Sequence, residues 1–534
     1  MSLFVTNFST IDTVIVVAYL LGSIFIGIWA NRYVGNLSDY LVAGRTLRLR
    51  LALATMTGTE LGLVTVMYSS EMGFTQQYAS LYLPVYEFLA LLIIGLTGLV
   101  VYRLRETAVL TIPEYYEIRY SRGVRVLGAV MMVVSGVLNM GLFLKAGSQF
   151  LTAICGLEGE YLKLVMTGLL LLVLFYTVLG GMVSVVITDL VQFVILGLAM
   201  LLVTGFVVSD VGLEGFQKVV TEHNGYYDPT STVNPSDPTN PRGGIGPLML
   251  LAQAVILFTA LMLWPAGVSR TLAVRTSEIA RKLYLWSTIP FLARRSLPVL
   301  WGIAAYSFFL SNPELMAQLE VAIRDDPAVS TVSAMPLYLA RIIPAGLLGL
   351  VVAGMVAAFM STHDSYLLCW SGVITQDIVA PLFGPLSQKQ RILTTRIGIV
   401  LIGIALLVWG LWYEVSTELW NYMAITGTVY LAGVLPVVVG GLYWRRGSSA
   451  GAYIALLGGL TGLLALGPCV AWINSQPSLT SWGEVRSEHL MLASFVVSLA
   501  GYLAGSLLLP DPPRPATTAN VAGPGSGRGP ASAG

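Results

Sequence analysis

The sequence predicts an all-α polytopic membrane protein, and three observations carry that prediction. Charged residues are 11% of the 534-residue chain against 56% apolar, and the mean hydropathy is +0.77. An ordinary soluble protein carries roughly 25% charge, so the surface of a water-soluble fold this size would go uncovered. The apolar residues also gather into runs of about 20, the length a helix needs to cross roughly 30 Å of hydrocarbon. Finally, basic residues gather in alternate connections, those after the first, third, seventh, ninth and eleventh runs. The net charge of +1 includes no clustered Lys/Arg excess of the kind that neutralises phosphates, which sets nucleic-acid partners aside.

Thirteen runs begin near Asp12, Leu51, Ala79, Val124, Tyr161, Met182, Pro247, Lys282, Pro344, Arg391, Glu418, Gly451 and His489. Basic residues follow the first (Arg32, Arg45, Arg48, Arg50), third (Arg103, Arg105, Arg119, Arg122, Arg125), seventh (Arg270, Arg275, Arg281, Lys282), ninth (Lys389, Arg391, Arg396) and eleventh (Arg445, Arg446). The other loops hold fewer: Lys163, Lys218, Arg242, Arg324, Arg341 and Arg486. The positive-inside rule then puts the N-terminus outside and the C-terminus in the cytoplasm of a plasma (inner) membrane protein. The first eleven residues lack Lys and Arg and no small-residue cleavage site follows, so the first run is expected to stay as an anchor. Cys155, Cys369 and Cys469 share no metal-ligand spacing and read as small core residues. The scattered His223, His363 and His489 make no ligand cluster, and H-E-x-x-H does not occur. No organic cofactor, enzymatic chemistry or obligate protein partner is expected; the bilayer, a small solute and an ion are.

Two runs are interrupted. The second contains Thr55-Met56-Thr57-Gly58-Thr59-Glu60-Leu61-Gly62 and the seventh Trp264-Pro265-Ala266-Gly267. An unsatisfied backbone in lipid costs several kcal/mol, so such breaks must face protein or a water-filled cavity. Their separation by five runs is what a five-plus-five inverted repeat gives, with the first helix of each repeat discontinuous, and it points to an alternating-access transporter. The division that follows is 1–50 first helix and cytoplasmic loop, 51–208 first repeat, 209–246 exterior loop, 247–446 second repeat, 447–511 two further helices, and 512–534 a disordered cytoplasmic tail. In the ninth run, Ala358-Phe359-Met360-Ser361-Thr362-His363-Asp364-Ser365 offers oxygen ligands for a small hard cation: the Ser361 and Thr362 hydroxyls with the Ala358 carbonyl one turn earlier. Carbonyls freed between Gly58 and Leu61 would supply the rest. The plain alternative is that both hydroxyls bond back to the preceding turn.

Several stretches together resemble the sodium:solute symporters, the family of bacterial proline and sugar symporters and animal glucose, iodide and choline carriers. They are Asp39-Tyr40-Leu41-Val42-Ala43-Gly44-Arg45, Thr111-Ile112-Pro113-Glu114-Tyr115 through Arg119-Tyr120, Tyr176-Thr177-Val178-Leu179-Gly180-Gly181-Met182-Val183-Ser184 continuing to Thr188-Asp189, and Tyr443-Trp444-Arg445-Arg446 with Gly451-Ala452. The resemblance implies a LeuT-type fold with one helix before the ten-helix core and two after it. It also assigns sodium, the coupling ion, to the Gly58, Leu61 and Ala358 carbonyls and the Ser361 and Thr362 hydroxyls. Asp189 matches the family acid near the cytoplasmic mouth, expected to receive sodium on its way out.

For the solute, Glu87 resembles a sugar-contacting Glu of the glucose-type members, but Ala90, Thr65 and Trp264 stand where sugar-reading Ser, Gln and Asn are expected, which disfavours a hexose. Glu60 matches a functional Asp of the proline symporters, one methylene longer. Arg294 and Arg295 depart from the family, lying in the middle of the eighth run. A cation at that depth is a functional hypothesis by default: Arg294 either grips a solute carboxylate or forms a structural ion pair with Glu60, Glu87 or Asp364, unless the run is an amphipathic helix followed by a short span. The expectation is a sodium-coupled symporter importing a monocarboxylate or amino acid that binds near Glu60, Glu87, Trp264 and Arg294, with a proton-coupled carrier of the same fold or a membrane-embedded solute sensor as rivals.

Overall fold

A computed structural model describes residues 3–30, 45–157, 159–221, 246–326, 329–412, 419–476, 478 and 483–512. Of the exterior loop expected over 209–246, residues 209–221 are helical and 222–245 lie outside the described residues, as do the expected tail beyond Pro512 and the motif from Asp39 to Gly44. The chain is a bundle of helices: α1 Thr10–Ala30, α2 Leu49–Glu60, α3 Leu63–Gln76, α4 Tyr82–Thr97, α5 Arg122–Cys155, α6 Leu162–Thr221, α7 Gly246–Leu263, α8 Pro265–Ala273, α9 Ser277–Ser311, α10 Leu347–Val373, α11 Gln388–Trp412, α12 Leu419–Tyr443, α13 Ser449–Gly459 and α14 Ser487–Leu508. Local chemistry sets several ends. Ser121 caps α5 by accepting the Val124 N–H at 3.3 Å, Thr276 caps α9 through the Ile279 N–H at 3.2 Å, and Gly156 (φ +68°) closes α5 in the left-handed conformation that glycine adopts without strain.

The loops sort to two ends of the bundle. At one end the Leu47 N–H donates to Ala273 (3.2 Å), Arg105 Nε to the Val274 carbonyl (2.8 Å), Arg103 to the Leu442 carbonyl (3.0 Å) and Arg119 to that of Gly441 (3.1 Å). At the other, Thr6 donates to the Ile154 carbonyl (2.6 Å), Gln149 to Ser330 (3.4 Å), Thr331 to Glu71 (2.5 Å) and Tyr78 to the Phe216 carbonyl (3.0 Å). The loops after the first, third, seventh and eleventh expected spans thus share an end. Two spans expected from Tyr161 and Met182 form one helical run, α6, with apolar segments Leu162–Phe175 and Val185–Val219. A straight helix of that length would measure about 90 Å, yet α6 starts beyond the Ile154 end of α5 and finishes past Phe216 at that same end. The run is therefore not straight over its 60 residues.

Eight helices among the described residues are long and apolar enough to cross a membrane, nine if Ser449–Ala465 and Gly467–Asn474, bent by 76°, form one crossing. Thirteen expected runs exceed that number for physical reasons. Thr10–Ile26 and Leu162–Phe175 are shorter, α2 is half of a broken helix, and α9 carries Glu278, Arg281, Lys282, Arg294 and Arg295. The last is nevertheless one continuous helix with Pro290 and Pro298 inside it, not an amphipathic helix followed by a short span.

Missing side chains let α9 press against its neighbours. A Cβ on Gly73 would lie 2.1 Å from the Val299 carbonyl oxygen, one on Gly302 1.9 Å from that of Ser70, and one on Gly95 2.5 Å from the Leu285 nitrogen. Small residues at such crossings are how membrane helices gain packing where no hydrophobic force acts between them. The close approach of α9 to α3 and α4 brings both mid-helix arginines to the acids of α2 and α4.

Candidate functional site

Two interruptions organise the centre of the bundle. Between α2 and α3 the backbone leaves the helix at Leu61 (φ −89°, ψ 59°) and Gly62 (φ −75°, ψ 157°), while the Leu61 N–H still donates to Thr57 at 2.8 Å. Among the described residues no backbone N–H reaches the Gly58 or Leu61 carbonyl. The Thr59 carbonyl accepts the Thr362 hydroxyl at 3.0 Å, and the Glu60 carbonyl accepts Thr65 at 3.2 Å and the Arg294 guanidinium. Glycine is required at 62, since a Cβ there would stand 2.3 Å from Thr362 Oγ1. Between α7 and α8 the turn falls on Trp264 (φ −69°, ψ 123°), and Pro265 supplies no N–H to the Leu261 carbonyl. Tyr284 replaces that donor, its hydroxyl 2.9 Å from the Leu261 oxygen.

On the α3 and α7 side of these breaks lies a cavity of about 110 Å³, walled by Tyr68, Phe143, Trp264, Phe291, Tyr366 and Trp420 and reached by Glu60, Glu87, Arg294 and Arg295. Glu87 is fully buried and bridges both arginines: Oε1 accepts from Arg294 Nη2 and Oε2 from Arg295 Nε at 2.6 Å. Arg294 Nη1 donates to the Glu60 carbonyl and lies 3.9 Å from the Glu60 carboxylate. The Arg294 guanidinium sits 4.1 Å from the Phe291 ring centroid; that of Arg295 sits 5.0 Å from Tyr68 and 4.8 Å from Trp420, contacts worth about 2 kcal/mol or more when desolvated. Trp264 Nε1 donates to the Tyr366 hydroxyl at 2.8 Å, and its ring meets Trp370 edge-on at 5.8 Å.

On the α2 and α8 side the charges are sealed. Asp189, on α6, is fully buried; Ser361 donates to Oδ1 and Thr55 to Oδ2 at 2.6 Å, with Arg270 Nη2 3.6 Å away. Arg270, equally buried, donates to Ser365 at 2.5 Å, whose hydroxyl is 3.1 Å from Thr59 and 3.2 Å from Asp364. Four elements, α2, α6, α8 and α10, meet in this network.

The structure brings the residues singled out in the sequence to two places. Glu60, Glu87, Trp264 and Arg294 share the cavity. Gly58, Ser361 and Thr362 meet at the break: a Cβ on Gly58 would be 3.6 Å from Ser361 Oγ, Leu61 adjoins Gly62 against Thr362, and Ala358 lies one turn before Thr362 on α10. Asp189 is fully buried: Thr55, Ser361 and Arg270 cover it, and it touches the candidate ion ligand Ser361 directly. The plain alternative holds for neither hydroxyl of the pair Ser361 and Thr362, whose protons go across to Asp189 and Thr59. Sequence reasoning missed Arg270 and Tyr366. Arg270 was grouped with the basic loop after the seventh span; its place five residues past Pro265, inside the half-helix, was the available signal. Tyr366 lies one helical turn after Thr362, a spacing that marks the same face.

The model of the "Sodium:solute symporter family" matches residues 40–460. A sodium/glucose cotransporter of Vibrio parahaemolyticus is 26% identical over 477 residues, covering 86% of this chain and 85% of that protein. A sodium/proline symporter of Staphylococcus saprophyticus is 24% identical over 518 residues, covering 91% and 90%. Among solved structures, a Na+-coupled sialic acid symporter in a substrate-bound outward-open state aligns with TM-score 0.74 at 15% identity, over 94% of this chain and 98% of that one. That likeness gives the chain a LeuT-type fold.

Proposed function

The chain belongs to the sodium:solute symporter family, and from that premise we propose that it imports a small carboxylate-bearing solute, a monocarboxylate or amino acid rather than a sugar, together with sodium. It is a multi-pass membrane transporter and not an enzyme. Sodium binds at the helix break, held by the Gly58, Leu61 and Ala358 carbonyls and the Ser361 and Thr362 hydroxyls; the solute binds across the break near Glu60, Glu87, Trp264 and Arg294. The N-terminus is exterior and the C-terminus cytoplasmic, which makes the loops carrying Arg103, Arg105 and Arg119 cytoplasmic. The thirteen-span count and the division into two five-helix repeats belong to the same reading.

One observation carries it: the Gly58 and Leu61 carbonyls, without backbone N–H partners among the described residues, lie in the buried break that Ser361 and Thr362 of α10 abut. Neutral oxygens of this kind suit a small hard monovalent cation. In this conformation Ser361 donates to Asp189 and Thr362 to Thr59, so ion binding turns both hydroxyls to present lone pairs. Release follows when Asp189 takes Ser361 back, which gives Asp189 its part in the ion's exit. Linkage requires sodium and solute to raise each other's affinity by the same factor.

The test is sodium-dependent uptake by the double variant Ser361→Ala, Thr362→Ala in proteoliposomes. Loss of two cation ligands is expected to raise the sodium concentration for half-maximal uptake about tenfold or more, since each lost charge-assisted contact is worth roughly 1.5–3 kcal/mol. An unchanged sodium dependence refutes the assignment.

A further inference from the structure

The two arginines at the cavity are not equivalent. Arg294 has both terminal nitrogens committed, Nη1 to the Glu60 carbonyl and Nη2 to Glu87, and only its Nε is without a partner among the described residues. Arg295 gives only Nε to Glu87, and its Nη1, though buried, has no hydrogen-bond partner among the described residues. The residue is 3% exposed and lines the cavity. A buried guanidinium N–H without a partner costs the full desolvation of that group, and here the rings of Tyr68 and Trp420 fix the guanidinium while supplying no acceptor for it.

We infer that Arg295, rather than Arg294, reads the solute, its Nη edge gripping the solute's carboxylate, while Arg294 is a positioning residue that links this contact to the ion at the break. The inference rests on the symport reading above and names the residue that selects its substrate class. The planar fork of arginine offers two parallel N–H groups that match a carboxylate, and with Nε held by Glu87 the Nη1/Nη2 edge is the one left for it. Charge supplies the coupling. Arg294, Arg295, Glu60 and Glu87 sum formally to zero, so a carboxylate on Arg295 leaves one uncompensated negative charge in a largely buried cavity, which a sodium ion at the adjoining break cancels. Geometry supplies the path: solute on Arg295 loads Glu87, Glu87 holds Arg294, and Arg294 bonds the Glu60 carbonyl between the two carbonyls assigned to sodium.

The experiment uses the full chain in proteoliposomes. Labelled short monocarboxylates and neutral α-amino acids are screened under an inward sodium gradient, each with its carboxamide analogue as competitor. Sodium-induced change in tryptophan fluorescence is read separately, without solute. For a solute that the unmodified protein accumulates, Arg295→Gln is expected to raise its half-saturation concentration about tenfold or more and to keep the sodium-induced fluorescence change. Arg295→Lys keeps the charge without the fork and is expected to fall between. Arg294→Gln is expected to shift the sodium dependence instead, and the carboxamides to compete poorly. If the unmodified protein accumulates nothing with sodium, the symport reading itself fails. If it accumulates a carboxylate that Arg295→Gln or Arg295→Lys handles equally well, or the carboxamide competes as well as the acid, Arg295 is not the anchor. If Arg295→Gln loses the fluorescence change by misfolding, Arg295→Lys decides on the same criterion.

Discussion

Two charged clusters face each other across the helix breaks, and they differ in whether a cavity lies beside them. On the α2 and α8 side Asp189, Arg270, Ser361, Ser365 and Thr55 are bonded to one another and buried, and the one guanidinium nitrogen without a partner, Arg270 Nε, is enclosed with them. On the α3 and α7 side Glu87, Arg294 and Arg295 pair as tightly, yet one Arg295 donor has no partner and the Glu60 side chain is 18% exposed beside a cavity. A closed network in a low dielectric holds a shape; a network with a spare donor at a cavity awaits a ligand. The difference assigns the first cluster to the seal and the ion, and the second to the solute.

The largest expected effect breaks the sealed side. Arg270→Gln leaves Asp189 in a dry site without its cation, and removing one partner of a buried pair costs about 3–5 kcal/mol. The expected outcome is little folded carrier in detergent, measured by a thermal-shift assay. Pairing it with Asp189→Asn is expected to recover much of that stability without recovering uptake, because the charge is balanced again but Ser361 has lost its acceptor. Full stability of Arg270→Gln alone would show that the two sides are less different than their hydrogen bonds indicate.

A smaller effect sharpens the comparison on the cavity side. Trp264→Phe removes the hydrogen bond to Tyr366 and keeps most of the ring packing against Trp370 and Tyr430. A neutral hydrogen bond is worth about 1 kcal/mol, so solute half-saturation is expected to rise roughly fivefold while the thermal midpoint moves little. Titrating uptake against solute at saturating sodium checks it, and a large fall in thermal midpoint would instead place Trp264 among the structural groups.

Much of this division was legible in the sequence. The two breaks announce themselves as Gly58 to Gly62 and Trp264-Pro265, since glycine, threonine and proline in an apolar run point to freed backbone, and the alternation of arginines groups the loops as the fold groups them. Ser361 and Thr362 were found because adjacent hydroxyls on a membrane helix have few uses. What the sequence did not yield was long-range pairing. Arg270 reads as one more basic loop residue until α8 turns it toward Asp189 and Ser365, contacts 81 and 95 positions away. Likewise, Arg294 and Arg295 are indistinguishable as neighbours; only the placement of α9 against α3 and α4 gives one of them to the Glu60 carbonyl and leaves the other a free edge. In α6 the difference runs the other way: the residues around Met182 promise a second span, and one helix runs through both.

The central claim is that sodium at the break and a carboxylate at the cavity move together. The measurement that tests it most directly is uptake of a labelled carboxylate solute into proteoliposomes at constant pH, with an inward sodium gradient and again with choline replacing sodium. Accumulation with sodium that vanishes in choline, and is indifferent to an imposed proton gradient, is the expected result. Accumulation that persists in choline and follows the proton gradient would contradict it, leaving the fold in place and removing sodium from the Gly58, Leu61, Ala358, Ser361 and Thr362 site.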